Sequence, residues 1–345
     1  MMQGRWGIAF SVLLAALLVS SLLVRAAIAY AHRRGMLDQP GQRRSHRIPT
    51  PRGGGIGIVV ACVAAMPVAL SALPPAWPRP IVAALVLALS LVALVGWWDD
   101  HRSLGIRPRL AVQLLATALF AAALLGEERS WLWLPLLVLA GAWSINLHNF
   151  MDGIDGLLAQ QAVFVGAGFG LLAWHASQPA LALAAGCLAA ASAGFWIYNR
   201  SPARIFMGDV GSGSIGLLVF ALAAMLWRVD PGLLWPALIL CSCFIADASL
   251  TLLHRFIRGR RWYTAHREHL YQWLVRRGQT HTRVTAFYLA WNVLVAAPAA
   301  FLSSVHAAMA LPACLAVYTA AAATWTVTRR RCLRRDLHKV RHVAT

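Results

Sequence analysis

Residues 149–158 read NFMDGIDGLL, between apolar runs at 131–147 and 157–174. Each flanking run is close to the ~20 residues a helix needs to cross a hydrocarbon layer. Between them stand Asp152 and Asp155, each followed by a glycine. A carboxylate beside lipid is costly and persists where it has a partner or a task. The chain has only 12 acidic residues among 345, so two of them three positions apart at such a boundary need a reason.

The alternation of apolar run and polar turn extends in both directions. The chain is 59% hydrophobic and 12% charged, against roughly 25% charged in ordinary soluble domains. Candidate spans fall at 6–31, 53–73, 81–98, 110–126, 131–147, 157–174, 180–198, 213–228, 233–254, 285–302 and 307–327. The pattern predicts an all-α polytopic membrane protein of about eleven transmembrane helices. Residues 1–327 form one membrane domain and 328–345 a basic cytoplasmic tail. One set of alternate connecting segments, with the tail, holds 26 Lys and Arg, and the opposite set holds 4. Basic residues stay cytoplasmic, so the N-terminus is expected outside and the C-terminus inside.

The same bias accounts for the net charge of +19 without nucleic acid, and the arginine-rich tail suits anionic membrane lipids. AAIAYA near the end of the first span offers small residues for signal cleavage. Cleavage there would export the basic loop that follows, so an uncleaved first helix is expected. The six cysteines show no metal-ligand spacing, and neither disulfide nor zinc site is expected.

Unusual polar residues gather in the cytoplasmic set: RRSHRIPTPRGGG, WWDDHRSLG, NLHNFMDGIDG, YNRSPARIFMGDVGSGS and YTAHREHLYQ. Asp99, Asp100, Asp152, Asp155 and Asp209 all lie in or beside these segments. Clustered carboxylates repel, and a divalent cation removes the repulsion. Oxygen ligands suit Mg²⁺ or Mn²⁺, and Mg²⁺ commonly bridges carboxylate and phosphate. The bland alternative pairs the acids with arginines, for instance Asp100 with Arg102 or Arg107. Gly53–Gly55 and the glycines around Asp209 let backbone N–H groups approach an anion, or let helices pack closely. His266, Arg267 and His269 could hold phosphate, or belong to a solvated basic loop. His46 and Arg52 are weaker singly. Asn146, Asn149 and Asn199 could bond a base or sugar, or cap helices. Asp247, inside the ninth span, is expected to hydrogen-bond within the bundle.

HRIPTPRGGG, GWWDD, NLHNFMDGIDGL, Asn199 through GDVGS, and HREHLYQ together resemble the polyprenyl-phosphate N-acetylhexosamine-1-phosphate transferases, of glycosyltransferase family 4 type. The motifs occur in the family's order over about residues 38–284. The resemblance implies that undecaprenyl phosphate attacks the β-phosphorus of a UDP-N-acetylhexosamine at the cytoplasmic face of a bacterial inner membrane. UMP leaves, and a lipid-linked first sugar of a surface glycan remains. It implies Mg²⁺ on Asp209, with Asp152 and Asp155 near metal and nucleotide. Asp99 and Asp100 serve the lipid phosphate or proton removal, and Asn149 and Asn199 the nucleotide side. His266, Arg267 and His269 hold the sugar-nucleotide phosphates.

HRxHxYQ and the chain length look like the branch serving O-antigen and lipopolysaccharide, whose sugar is of GlcNAc, QuiNAc or FucNAc type. DDHRSLG departs from branches that carry a third acid or a lysine after the pair, which puts roles depending on that residue in doubt. The other classes considered are an ion-coupled transporter, which should place its acids near mid-membrane and show internal repeats, and an aromatic-type prenyltransferase, which should show two separated DxxxD-like clusters. The sequence sets no oligomeric state, and a homodimer is compatible with it.

Overall fold

The computed structural model describes residues 2–35, 37–39, 49–126, 130–260 and 266–343. Its helices are α1 (Met2–Arg34), α2 (Ile56–Ala72), α3 (Arg79–His101), α4 (Ile106–Leu125), α5 (Leu134–Phe150), α6 (Leu157–His175) and α7 (Pro179–Asn199). They continue with α8 (Asp209–Val229), α9 (Leu234–Leu240), α10 (Ser242–Ile257), α11 (Leu270–Arg276), α12 (His281–Trp291), α13 (Ala297–Val305) and α14 (Ala307–Val343). The strands are a two-residue antiparallel pair, β1 (Leu37–Asp38) and β2 (Thr50–Pro51). The protein is all-α and polytopic.

Among the described residues nine helical segments are long and apolar enough to span, or ten if α9 and α10 form one. The sequence pattern marks eleven. Two elements explain the difference. Helix α2 has 17 residues and falls short of a full span. The expected span 233–254 is broken, with α9 and α10 bent by 76°. Periodicity could not show the break, because both halves are apolar. Within lipid a break frees backbone carbonyls that must find donors. Here the Tyr318 hydroxyl donates to Leu238 O at 3.0 Å, and the Gln161 amide donates to Leu240 O at 3.4 Å.

Helix α8 is the hub: 94% of its most apolar stretch is buried, with α3 and α5 packed on it. Lipid is as apolar as leucine, so close backbone approach and buried hydrogen bonds draw membrane helices together. A Cβ on Gly55 would lie 2.2 Å from Gly211 Cα, so α2 and α8 touch where neither has a side chain. Between α5 and α8, Ser144 Oγ donates to Gly216 O at 2.7 Å. Helix α14 runs from Ala307 to Val343, past the expected end of the last span.

Candidate active site

Two glycine motifs that read separately in sequence pair in space. Gly54 N–H donates to Phe206 O at 3.0 Å, Gly55 N–H to Met207 O at 2.8 Å, and Phe206 N–H to Pro51 O at 2.8 Å. This ladder carries the chain into the first turn of α8, where Gly208 has φ +77°. That left-handed conformation is one glycine adopts freely. A Cβ there would meet Asp100 Oδ2 at 2.5 Å.

Asp100 uses both oxygens on backbone: it accepts from Asp209 N–H at 3.0 Å and Val210 N–H at 3.1 Å. It caps α8, satisfying donors that a helix start leaves open. The pairing with Arg102 or Arg107 weighed from sequence is replaced by this one. The arginine that engages the acids is Arg109, which binds Asp99 and lies 3.0 Å from Asp209 Oδ2. Asn149 Nδ2 donates to Asp209 Oδ1 at 2.9 Å and to Ser212 Oγ at 3.1 Å. Asp209 is therefore held from both sides.

A cavity of about 260 Å³ opens beside this group, lined by Arg52, Asp100, Asp152, Asp155, Asn199, Asp209 and Arg267 among others. Residues from four of the five sequence motifs and the arginine of the fifth thus meet at one end of the bundle. Several expected residues are engaged elsewhere. Asn199 donates to Ile205 O and accepts from Gly156 N–H, both at 2.9 Å. Asn146 donates to Gln113 Oε1 and Ala142 O, both at 2.8 Å, and is not among the cavity's lining residues. Asp155 faces His281, whose Nδ1 is 3.1 Å from its Oδ2. His46 lies outside the described residues.

The histidine motif is seated by Asp247. This buried carboxylate accepts from Leu270 N–H at 2.7 Å, Tyr271 N–H at 3.4 Å, Tyr288 Oη at 2.6 Å and Trp325 Nε1 at 3.3 Å. It caps α11 directly after HREH. His269 stacks with the rings of Phe150 and Tyr271, with centroids 5.9 and 6.0 Å away. Tyr271 Oη donates to Phe150 O at 2.9 Å, joining the motif to the start of the DGIDG turn. Sequence reasoning missed Arg109, His281 and Tyr271 as parts of this region. None stands in a motif with the acid or turn it touches.

The turn residues differ in electrostatics. Enclosure by protein raises the Asp152 carboxyl well above its ordinary value, with repulsion from Asp209, Asp100 and Asp155 adding to it. Asp152 has no side-chain hydrogen bond or ion pair among the described residues, and it faces the cavity. Burial also acts on Asp155, but the hydrogen bond and charge of His281 outweigh it and hold that carboxyl low. Burial depresses His266 to about 4, with His269 and Arg255 adding to the effect. Burial likewise lowers His269. Both rings are neutral at neutral pH and offer single N–H donors.

Among the described residues no three His, Cys, Asp or Glu side chains are arranged to hold a metal ion by themselves. Asp100, Asp99 and Asp155 are committed to backbone, arginine and histidine. The donor set nearest the cavity is the orphan carboxylate of Asp152 with Asp209. One or two carboxylates fit Mg²⁺ that is held jointly by substrate phosphates and water.

The family model described as Glycosyl transferase family 4 matches residues 82–227. Decaprenyl-phosphate N-acetylglucosaminephosphotransferase of Mycobacterium tuberculosis is 30% identical, over 78% of this chain and 76% of that protein. The chain belongs to glycosyl transferase family 4. Phospho-N-acetylmuramoyl-pentapeptide-transferase of Synechococcus elongatus is 32% identical, over 61% of this chain and 62% of that protein. The chain thus spans less than two thirds of the cyanobacterial relative. In this family 4 member the matched region holds all five clustered acids and ends before the histidine motif. Arg52 and Arg267 therefore reach the cavity from outside it.

Proposed function

We propose that this protein transfers a sugar 1-phosphate from a UDP-N-acetylhexosamine to undecaprenyl phosphate at the cytoplasmic face of a bacterial inner membrane. A phosphate oxygen of the lipid forms a bond to the β-phosphorus. The bond from that phosphorus to the bridging oxygen breaks, and UMP carries the electron pair away. The observation that carries this reading is the cavity where Asp152 and Asp209 meet Arg52 and Arg267. Carboxylates and guanidiniums facing one space suit a substrate that is anionic and brings a divalent cation.

Mg²⁺, held by Asp152 and Asp209, would screen the diphosphate and stabilise the departing UMP. The chain's own side chains do the positioning. Arg267 and Arg52 attract phosphate oxygens, and neutral His266 and His269 offer N–H donors. Asn149 and Arg109 keep Asp209 from turning away. Asp100 keeps the first turn of α8 in place. A phosphate monoester loses its second proton near pH ~6, so the lipid nucleophile is largely ionised at neutral pH and a general base contributes little. Orientation and charge screening dominate instead.

Residues 1–327 serve as the catalytic domain and 328–345 as a basic tail against lipid headgroups. The O-antigen branch, with a GlcNAc, QuiNAc or FucNAc donor, is the pathway favoured by the HRxHxYQ motif. The test gives purified protein Mg²⁺, undecaprenyl phosphate and a panel of UDP-N-acetylhexosamines. Lipid-dependent UMP release with one of these donors supports the reading. No release with any of them overturns it.

A further inference from the structure

A second cavity, about 340 Å³, lies among α10, α11, α12 and α14 and shares no lining residue with the acid-lined one. Its wall is mostly apolar, including Ala246, Leu274, Phe287 and Ala321. Trp325 forms part of that wall. The Arg329 guanidinium covers the Trp325 ring, 5.3 Å from its centroid. Arg329 is within electrostatic reach of Arg258, Arg260 and Glu268. Glu268 is engaged by Arg255 and, at 3.0 Å, by Arg260. Glu268 is already taken up by those two ion pairs, and neither Arg258 nor Arg329 makes an ion pair of its own among the described residues. Several guanidiniums beside one carboxylate repel one another unless another anion joins them. Guanidiniums at the rim of an apolar cavity are complementary to a molecule with an anionic head and a hydrocarbon tail.

We propose that this cavity binds an anionic phospholipid, with an acyl chain against Trp325 and Phe287 and the head phosphate at Arg258 and Arg329. The occupant also has a path to the other cavity. Asp247, Tyr288 and Trp325 line the lipid cavity, and the latter two donate to Asp247, which caps the helix after HREH. A lipid packed on these residues stabilises the arrangement that seats His269 and Arg267. This activating effect rests on the proposed transferase reading; the binding does not.

The test uses the full chain in phosphatidylcholine nanodiscs and titrates phosphatidylglycerol. Bound lipid is counted by native mass spectrometry, and thermal unfolding is followed in parallel. One phosphatidylglycerol per chain is expected to be retained over phosphatidylcholine, with a raised melting temperature. Each arginine beside an anionic head is worth about fivefold in affinity, so the R258A/R329A double variant should bind about thirtyfold more weakly. Ala321→Leu, which fills the cavity, should also lose the lipid. Equal retention of the two lipids by the wild-type chain overturns the proposal, and this comparison needs no variant. One-for-one displacement by undecaprenyl phosphate also overturns it and assigns the cavity to the acceptor. Displacement by inorganic phosphate alone overturns the role of the acyl chain.

Discussion

Arg109 Nη1 lies 3.0 Å from Asp209 Oδ2, although 100 residues of chain separate them. The same guanidinium binds Asp99. A cation between two carboxylates reduces their repulsion and lets them sit close. Asp209→Asn keeps the shape and removes the charge that faces the cavity. Its expected rate of UMP release is at least about a hundredfold lower, the size of losing one well-placed electrostatic group. Arg109→Gln leaves two adjacent carboxylates without their cation. That variant should melt at a lower temperature, and added Mg²⁺ should restore part of the loss.

Asp99 is tied to Arg109 and to the backbone N–H of Leu104. If it positions rather than deprotonates, Asp99→Asn should lose the same factor of activity above pH ~7 as near pH ~6, where the lipid phosphate is only half ionised. A defect that grows toward pH ~6, measured as UMP release, would favour a general base.

Asp152 holds its proton more tightly in the folded chain than in the unfolded one. Without divalent cation, stability is therefore lost as pH rises above the ordinary carboxyl value of 3.8 and through the raised folded one. Asp152→Asn should melt higher than wild type at neutral pH without cation. Mg²⁺ should raise the wild-type melting temperature and raise that of the variant less. A larger Mg²⁺ response in the variant would remove Asp152 from the cation's ligands.

His266 shows the opposite linkage. Its folded value of about 4 lies below the ordinary 6.5, so the unfolded chain binds more protons between the two. Stability from neutral His266 is complete above 6.5 and is lost as pH falls toward 4. His266→Gln should flatten the melting-temperature slope in that window. An unchanged slope would mean that the ring titrates alike in the folded and unfolded chain.

Asp247 touches no substrate in this reading and acts through the helix it caps. Asp247→Asn keeps an acceptor but loses the charge-assisted bonds, which are worth about 1.5–3 kcal/mol. Its kcat/KM for the nucleotide sugar should fall roughly ten- to a hundredfold, mostly through KM. A fall confined to kcat would place Asp247 in the chemistry rather than in seating the motif.

The fold class was legible in the chain because membrane helices advertise themselves by composition. An apolar run such as 157–174 has one low-energy state in lipid, and helix α6 occupies Leu157–His175. The acids of NFMDGIDGLL, GWWDD and GDVGS were legible as a group because charge beside lipid is rare. Their partners were not. Nothing in the sequence separates Arg109 from Arg107 or Arg102 as the one that reaches Asp99 and Asp209, because that choice depends on where α4 starts against α3 and α8. The bend between α9 and α10 was hidden for a related reason. Apolarity reports that a segment avoids water, but not whether its carbonyls find donors on Tyr318 and Gln161.

Composition and motif order by themselves determined a helical membrane protein with an acid-rich, arginine-rich end. Tertiary structure alone decided which carboxylates are spent on backbone, arginine or histidine, and among the described residues left Asp152 unpaired at the cavity. Burial and hydrogen bonding depend on neighbours that are distant in the chain, so no local pattern encodes them.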